Sequence, residues 1–419
     1  MRLCSCHRER LHMIEKRKKA LPQGEFIALI AMMFATIAFS IDAMLPALPE
    51  IGASLSPDDI NQAQLIISSF VLGMGVGTFF TGPLSDAFGR KPVIFVGSGL
   101  YCLGALASFF SQSLETILIS RLLMGLGAAG PRVVAIAIVR DLYVGRDMAR
   151  IISLAMMIFT LVPAFAPLLG SGIIAVSSWR GIFVAFAVFS LITVLWMSIR
   201  LEEPLPRDKR RPFRLPQLMG ALREMVSHPT VRLSIMAQTF CMSMLFTVII
   251  MVQPVYDVVF ARSESFPFWF MMVALMAGTA SLLNASLVGR IGMRRMVTWA
   301  LGVQILISTG VFALTQLSLG EPTSFYIFVF WQTSVFFMVG LTLGNLNAIA
   351  MEPMGHIAGM AASVMGALST VAAAVIAAPI GLLFDGTIIP MVGGVLATAG
   401  LAFIVMLWMG RVEAAATPA

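Results

Sequence analysis

Runs of about twenty or more mainly apolar residues follow one another along nearly the whole chain, separated by short clusters of charge, proline and glycine. A helix that crosses about 30 Å of hydrocarbon at about 1.5 Å per residue needs roughly 20 such residues. Twelve runs meet that length, at 25–48, 61–84, 92–112, 116–140, 149–176, 181–200, 232–257, 266–289, 295–317, 323–350, 357–384 and 388–410. They are continuous, whereas the strands of a membrane barrel would alternate over about ten residues. The pattern predicts an all-α membrane protein with twelve transmembrane helices.

Composition excludes a soluble body on a single anchor. Of 419 residues 58% are hydrophobic and 12% charged, with a mean hydropathy of +0.92; a soluble body would dilute that figure with its charged surface. The net charge of +7 fits either nucleic-acid binding or cytoplasmic loops, and its placement decides. With the N-terminus inside, cytoplasmic segments hold 24 of the 28 basic residues, and only Arg180 and Arg262 fall outside. That asymmetry puts both termini in the cytoplasm and leaves no charge for a nucleic acid to explain. Lys16 to Lys19 imitate the start of a signal peptide, but the apolar run that follows is too long for one, so no cleavage is expected. Cys102 and Cys241 lie in spans and Cys4 and Cys6 in the tail, which gives no disulfide framework. Cys4, Cys6, His7 and His12 do not have the spacing of a zinc site, so no metal and no cofactor are expected.

One long hydrophilic, proline-bearing stretch divides the chain into six spans plus six. The expected organisation is a tail at 1–24, a bundle at 25–200, a cytoplasmic linker at 201–230, a second bundle at 231–411 and a tail at 412–419. The halves echo each other. The loop after the second span reads Gly82-Pro83-Leu84-Ser85-Asp86-Ala87-Phe88-Gly89-Arg90-Lys91, and 203 residues on Leu287, Gly292 and Arg294 meet Leu84, Gly89 and Lys91, while Gly289 meets Asp86. Ala166-Pro167-Leu168-Leu169-Gly170 in the fifth span is echoed by Ala378-Pro379-Ile380-Gly381 in the eleventh.

With these motifs the chain resembles a major facilitator superfamily transporter. The first-half loop is similar to the family's G-x-L-x-D-x-x-G-R-[KR] signature. Arg121, followed by Gly125-Leu126-Gly127-Ala128-Ala129, resembles the fourth-span motif of the drug:proton antiporter branch. Asp42 to Pro49 and Arg140-Asp141-Leu142-Tyr143 resemble the bicyclomycin/chloramphenicol-resistance (Bcr/CflA-type) exporters. The resemblance implies two six-helix bundles, related by an axis along the membrane normal, rocking around a midplane cavity. It also implies that Gly82, Asp86, Gly89, Arg90 and Lys91 form a latch holding one access state. Pro163, Pro167 and Gly170 stand where drug exporters carry a bent, closely packed antiporter motif, with Ala166 and Ser171 replacing two of its glycines.

Ionisable residues inside a span are costly and therefore functional candidates. Asp42 lies near the outer end of the first span and Arg121 at a similar depth in the fourth, so the two are expected to face each other. Asp42 would exchange a proton, and competition between proton and substrate for one buried charge would couple their fluxes. Arg132 follows Arg121 by eleven residues, which returns to nearly the same face, with Gly125 and Ala128 between. Gln64, Gln253, Gln332 and Asn345 are further cavity candidates, since amides facing lipid are expensive. No G-x-x-x-x-G-K-[ST] loop is present, so a proton gradient rather than ATP is expected to drive transport. The expected partners are a small-molecule substrate, protons and the lipid bilayer, with no nucleic acid and the protein acting as a monomer. A transporter of a polar metabolite such as an amino acid is the alternative. An enzyme would want clustered histidines or carboxylates in the membrane, and the spans have none.

Overall fold

The computed structural model describes residues 21–317 and 320–416; the cysteines and histidines of the tail lie outside them. Twelve long helices run through it, which we number α1 Gln23–Asp42, α2 Leu65–Phe88, α3 Arg90–Phe109, α4 Leu114–Leu142, α5 Gly145–Val176, α6 Trp179–Arg200, α7 Pro229–Pro254, α8 Phe266–Ile291, α9 Met293–Leu314, α10 Glu321–Met351, α11 Ala358–Leu382 and α12 Ile389–Ala416. They fall in eleven stretches long and apolar enough to cross a membrane, because Glu321–Leu382 holds both α10 and α11 around a tight 3-10 turn. Outward-facing side chains such as Val96, Leu103, Leu282 and Leu306 are apolar and exposed, as the lipid solvent requires.

Helix pairing repeats from one half to the other. In the first half α2 packs on α4, α3 on α4 and α6, and α1 on α4, α5 and α6; in the second α8 packs on α10, α9 on α10 and α12, and α7 on α10, α11 and α12. Adding six to each number converts one set into the other, so the two halves are copies of one arrangement. Between them run α2 with α11 and α5 with α8, which the same operation exchanges, and the segments Leu45–Ala47 and Ile60–Gln64 add contacts to α7 and α11. The turn glycines Gly89 and Gly292 both take positive φ, 104° and 87°, a conformation that a Cβ would strain. They stand 203 residues apart, between α2 and α3 and between α8 and α9.

Close approach in the first half depends on small residues. A Cβ on Gly125 of α4 would lie 2.0 Å from the Phe70 carbonyl oxygen of α2, and one on Gly127 2.3 Å from the Gly97 carbonyl oxygen of α3. Such backbone contact is how membrane helices associate without a hydrophobic drive. The largest apolar core joins Met44, Ile67 and Met74 of the first half to the second half, where it runs from Tyr256 and Phe325 to Val297, Ile349 and Met409 at the other end of the helices. At the end where α1 and α7 begin lie two smaller cores, one around Phe26 and Val139, the other around Met225 and Val364 with Phe79 of α2 packed on it.

The linker is more ordered than its prolines and charges suggest. It contains a helix, Leu215–Ser227, that buries Leu218, Ala221 and Met225 against the first turns of α7 and α11. Its apolar positions recur at three- and four-residue spacing within a charged stretch, a pattern too short to stand out beside the spans.

Candidate functional site

Asp42 ends α1 because of the proline that follows it. Pro46 has no N–H to offer the carbonyl four residues back, which belongs to Asp42. The chain continues through a 3-10 turn, Leu45–Ala47, into a short helix, Leu48–Leu55. At this break the α5 motif closes in: a Cβ on Gly170 would lie 2.1 Å from the Ala43 carbonyl oxygen. Helix α5 runs unbroken through Pro163 and Pro167 to make that contact. Asp42 is 4% exposed, and among the described residues its carboxyl group meets neither a hydrogen-bond donor nor a cation.

Arg121 does not pair with Asp42, contrary to the expectation that they face each other. Its Nη2 donates to the Ser40 carbonyl at 2.9 Å and its Nε to the Ile66 carbonyl at 3.4 Å, while the guanidinium sits 4.4 Å from the Phe70 ring centre. Ser40 is in the last turn of α1, whose carbonyls lack helical partners and carry the negative end of the helix dipole. The arginine therefore caps α1, is fully buried, and presents no face to a cavity. Tyr101 of α3 braces the same turn: the Ser40 hydroxyl donates to the Thr36 carbonyl and so accepts from the Tyr101 hydroxyl. The small residues between the two arginines serve packing, with Gly125 against α2 and Ala128 fully buried. Arg132 is half-buried, and its Nη1 approaches the Met74 sulfur at 3.7 Å.

The amide candidates divide. Asn345 Nδ2 donates to Asn284 Oδ1 at 2.7 Å, tying α10 to α8, and Gln332 Oε1 accepts from the Tyr256 hydroxyl at 3.0 Å, tying α10 to the turn after α7. These two act between helices. Gln64 and Gln253 are buried with Oε1 atoms that meet no donor. Gln64 reaches across the halves: a Cβ on Gly381 of α11 would lie 2.6 Å from its Oε1. Nearby, Asn61 Nδ2 donates to the Phe384 carbonyl at 2.7 Å, a direct bond between the outer ends of the two bundles.

At the turn between α2 and α3 Arg90 organises the first half. It is 2% exposed; its Nη1 donates to Asp86 Oδ1 at 2.6 Å and to Ser85 Oγ at 2.8 Å, and its Nε and Nη2 to the two oxygens of Asp141 at 2.7 and 3.3 Å. Glu203, from the linker, accepts from the backbone N–H groups of Arg90 and Lys91 at 2.8 and 2.9 Å, and so caps α3. Lys91 donates to the Ser198 and Leu201 carbonyls at the end of α6. All these bonds stay within the first half and its linker. Contact with the other half is made beside them, where Gly82 packs on Ser363 and the Arg140 guanidinium on Gly359. Glu203, Tyr101 and Ser40 had not been singled out by the sequence, and Asp141 only as part of a motif with no role given; their partners come from other helices, which spacing along one helix cannot reveal.

The second half departs from this at the matching place. Arg294 pairs with Glu413, both partly exposed, and Gly289 occupies the position of Asp86. A cavity of about 570 Å³, with His228, Arg295 and Glu352 also in its wall, fills the space. No group of three or more metal-binding side chains occurs among the described residues.

Known proteins share this arrangement. The chain is 28% identical to the bicyclomycin resistance protein homolog of Haemophilus influenzae, over 87% of this chain and 91% of that one. It is 26% identical to the MFS-type transporter YdgK of Bacillus subtilis, over 88% and 92%. A crystal structure of a D-xylose-proton symporter superposes with a TM-score of 0.72 at 12% identity, covering 92% of this chain and 97% of that one, which speaks for the fold alone. Residues 28–378 match the family described as Major Facilitator Superfamily, and with its duplicated six-helix bundles the chain belongs to that superfamily of membrane transporters.

Proposed function

We propose that this protein is a proton-coupled antiporter that exports small amphipathic compounds across the cell membrane by alternating access, with both termini in the cytoplasm and no cofactor. The observation that carries the reading is Asp42, a carboxyl group buried without a partner at the break of α1. A carboxylate placed there has no structural bond to lose when it takes or releases a proton. The shared core and the Asn61–Phe384 bond close the outer end, so opening to the outside exposes Asp42 to the proton supply. The bicyclomycin resistance protein homolog supports a drug-like substrate. Energetically one proton suffices: it yields about 2.3 kcal/mol per 100 mV, and tenfold accumulation costs about 1.4.

The test is transport in proteoliposomes with an imposed pH gradient and a panel of cationic, neutral, anionic and amino-acid compounds. Export stimulated by acid on the outer face is expected for at least one amphipathic compound. Equilibration indifferent to the gradient would make the protein a facilitator, and gradient-driven movement of amino acids alone would favour the polar-metabolite reading.

A further inference from the structure

The two arginines inside the spans have opposite fates. Arg121 is consumed by backbone carbonyls. Arg132 meets no oxygen among the described residues; the sulfur of Met74 is its one hydrogen-bond contact. It lies eighteen residues after Leu114 and ten before Leu142, so roughly 27 Å from the outer end of α4 and about 15 Å from the inner end, within the hydrocarbon. The helices packed against α4 bring no carboxylate to that depth. Between Leu65 and Ser85 α2 has none, α1 has Asp42 at its far end and Glu25 in its first turn, where it pairs with Arg200, and the charges of α3 and α5 cluster at their cytoplasmic starts.

A charge left this bare inside a membrane faces a water-filled space or a ligand. The neighbours of Arg132 put it at the seam between the halves. Met74 precedes Gly75, whose Cβ would lie 2.7 Å from Val371 of α11, and Val133 approaches the place where Gly82 packs on Ser363. The site lies toward the end where α1 and α7 begin, which holds two smaller cores and which, in the export reading, is the cytoplasmic side from which a compound enters.

We propose that Arg132 is the substrate-charge contact of this seam and selects amphipathic compounds that carry a carboxylate, sulfonate or comparable anionic group. The planar guanidinium fork matches such groups bidentately, and α2 and α11, which meet at Gly75 and Val371 next to Met74, border it with apolar side chains. The inference rests on the export reading and refines it: proton and substrate occupy different residues, Asp42 and Arg132, so their coupling runs through the rocking of the halves. Exchanging an anion outward for a proton inward moves two positive charge equivalents inward, so an interior-negative potential alone stimulates export.

Equilibrium binding to the purified full-length protein, with no gradient, tests the assignment. The probes are naphthalene-2-sulfonate and 2-naphthyltrimethylammonium, which share one ring system. Wild type is expected to favour the sulfonate, Arg132→Gln to bind it at least tenfold more weakly, Arg132→Lys to fall between, and the ammonium probe to bind Arg132→Gln no more weakly than wild type. Wild-type preference for the ammonium probe overturns the proposal even if the Gln variant does not fold, and so does sulfonate binding that is equal in wild type and Arg132→Gln. Separately, sulfonate binding that depends on Arg132 in a protein indifferent to both pH gradient and potential sinks the export reading while leaving the binding site standing.

Discussion

The two halves share one pattern of helix contacts and differ in what they place inside it. The first half buries Asp42, Arg121 and Arg90 and packs its backbones through Gly125 and Gly127. The second half buries amides and rings at the matching depth: Tyr256 is ringed by Phe266, Phe325 and Phe328 and bonded to Gln332, and Trp331 and Gln304 both donate to Ser308. The two halves share the geometry, while among the described residues the fully buried charges lie on one side only. A rocking transporter needs two similar bodies, but one titrating carboxyl and one cation are enough for its chemistry.

The comparison is sharpest at the two turns that hold Gly89 and Gly292. Arg90→Gln leaves Asp86 and Asp141 facing a lost cation in a buried network and should cost about 3 to 5 kcal/mol. In the second turn Met293 stands at the position of Arg90, and Arg294→Gln, beside it at the position of Lys91, should cost about 1 kcal/mol or less because its ion pair is partly exposed. Thermal unfolding of the two variants in detergent reads the difference, and equal losses would mean that the second turn is also a latch. Helix packing gives the next contrast. Gly125→Ala drives a methyl into the Phe70 carbonyl and should destabilise by about 2 to 3 kcal/mol. Gly344→Ala on α10 meets open space and should stabilise by up to about 1 kcal/mol, so the two changes should shift the melting temperature in opposite directions. Smaller still, Tyr256→Phe removes the donor to Gln332 and should cost about 1 kcal/mol, with gradient-driven transport kept. Last, Gly289→Asp restores the acidic residue that the second turn lacks. It enters open space and should change stability by less than about 0.5 kcal/mol.

The helices were legible because a membrane span is a property of one uninterrupted segment, and so was the repeat, since Gly89 and Gly292 keep their register across 203 residues. The neighbourhood of Asp86 and Arg90 follows from their four-residue spacing on adjoining helix ends. Relations between helices were not legible. The depth of Arg121 and Asp42 suggested a pair, but depth does not fix the direction in which a side chain points, and the arginine turned to the carbonyls of the α1 break. Glu203 lies in a segment whose composition reads as linker, yet it caps α3 more than a hundred residues earlier in the chain. Backbone acceptors such as Ser40 and Leu201 are invisible to any reading of side-chain types.

The central claim is that Asp42 carries the proton, and comparing two transport modes of Asp42→Asn tests it most directly. In proteoliposomes, export driven by a pH gradient should fall to background in the variant, while exchange of labelled for unlabelled substrate at equal pH persists, because the halves still rock. Gradient-driven export at the wild-type rate in Asp42→Asn would contradict the account.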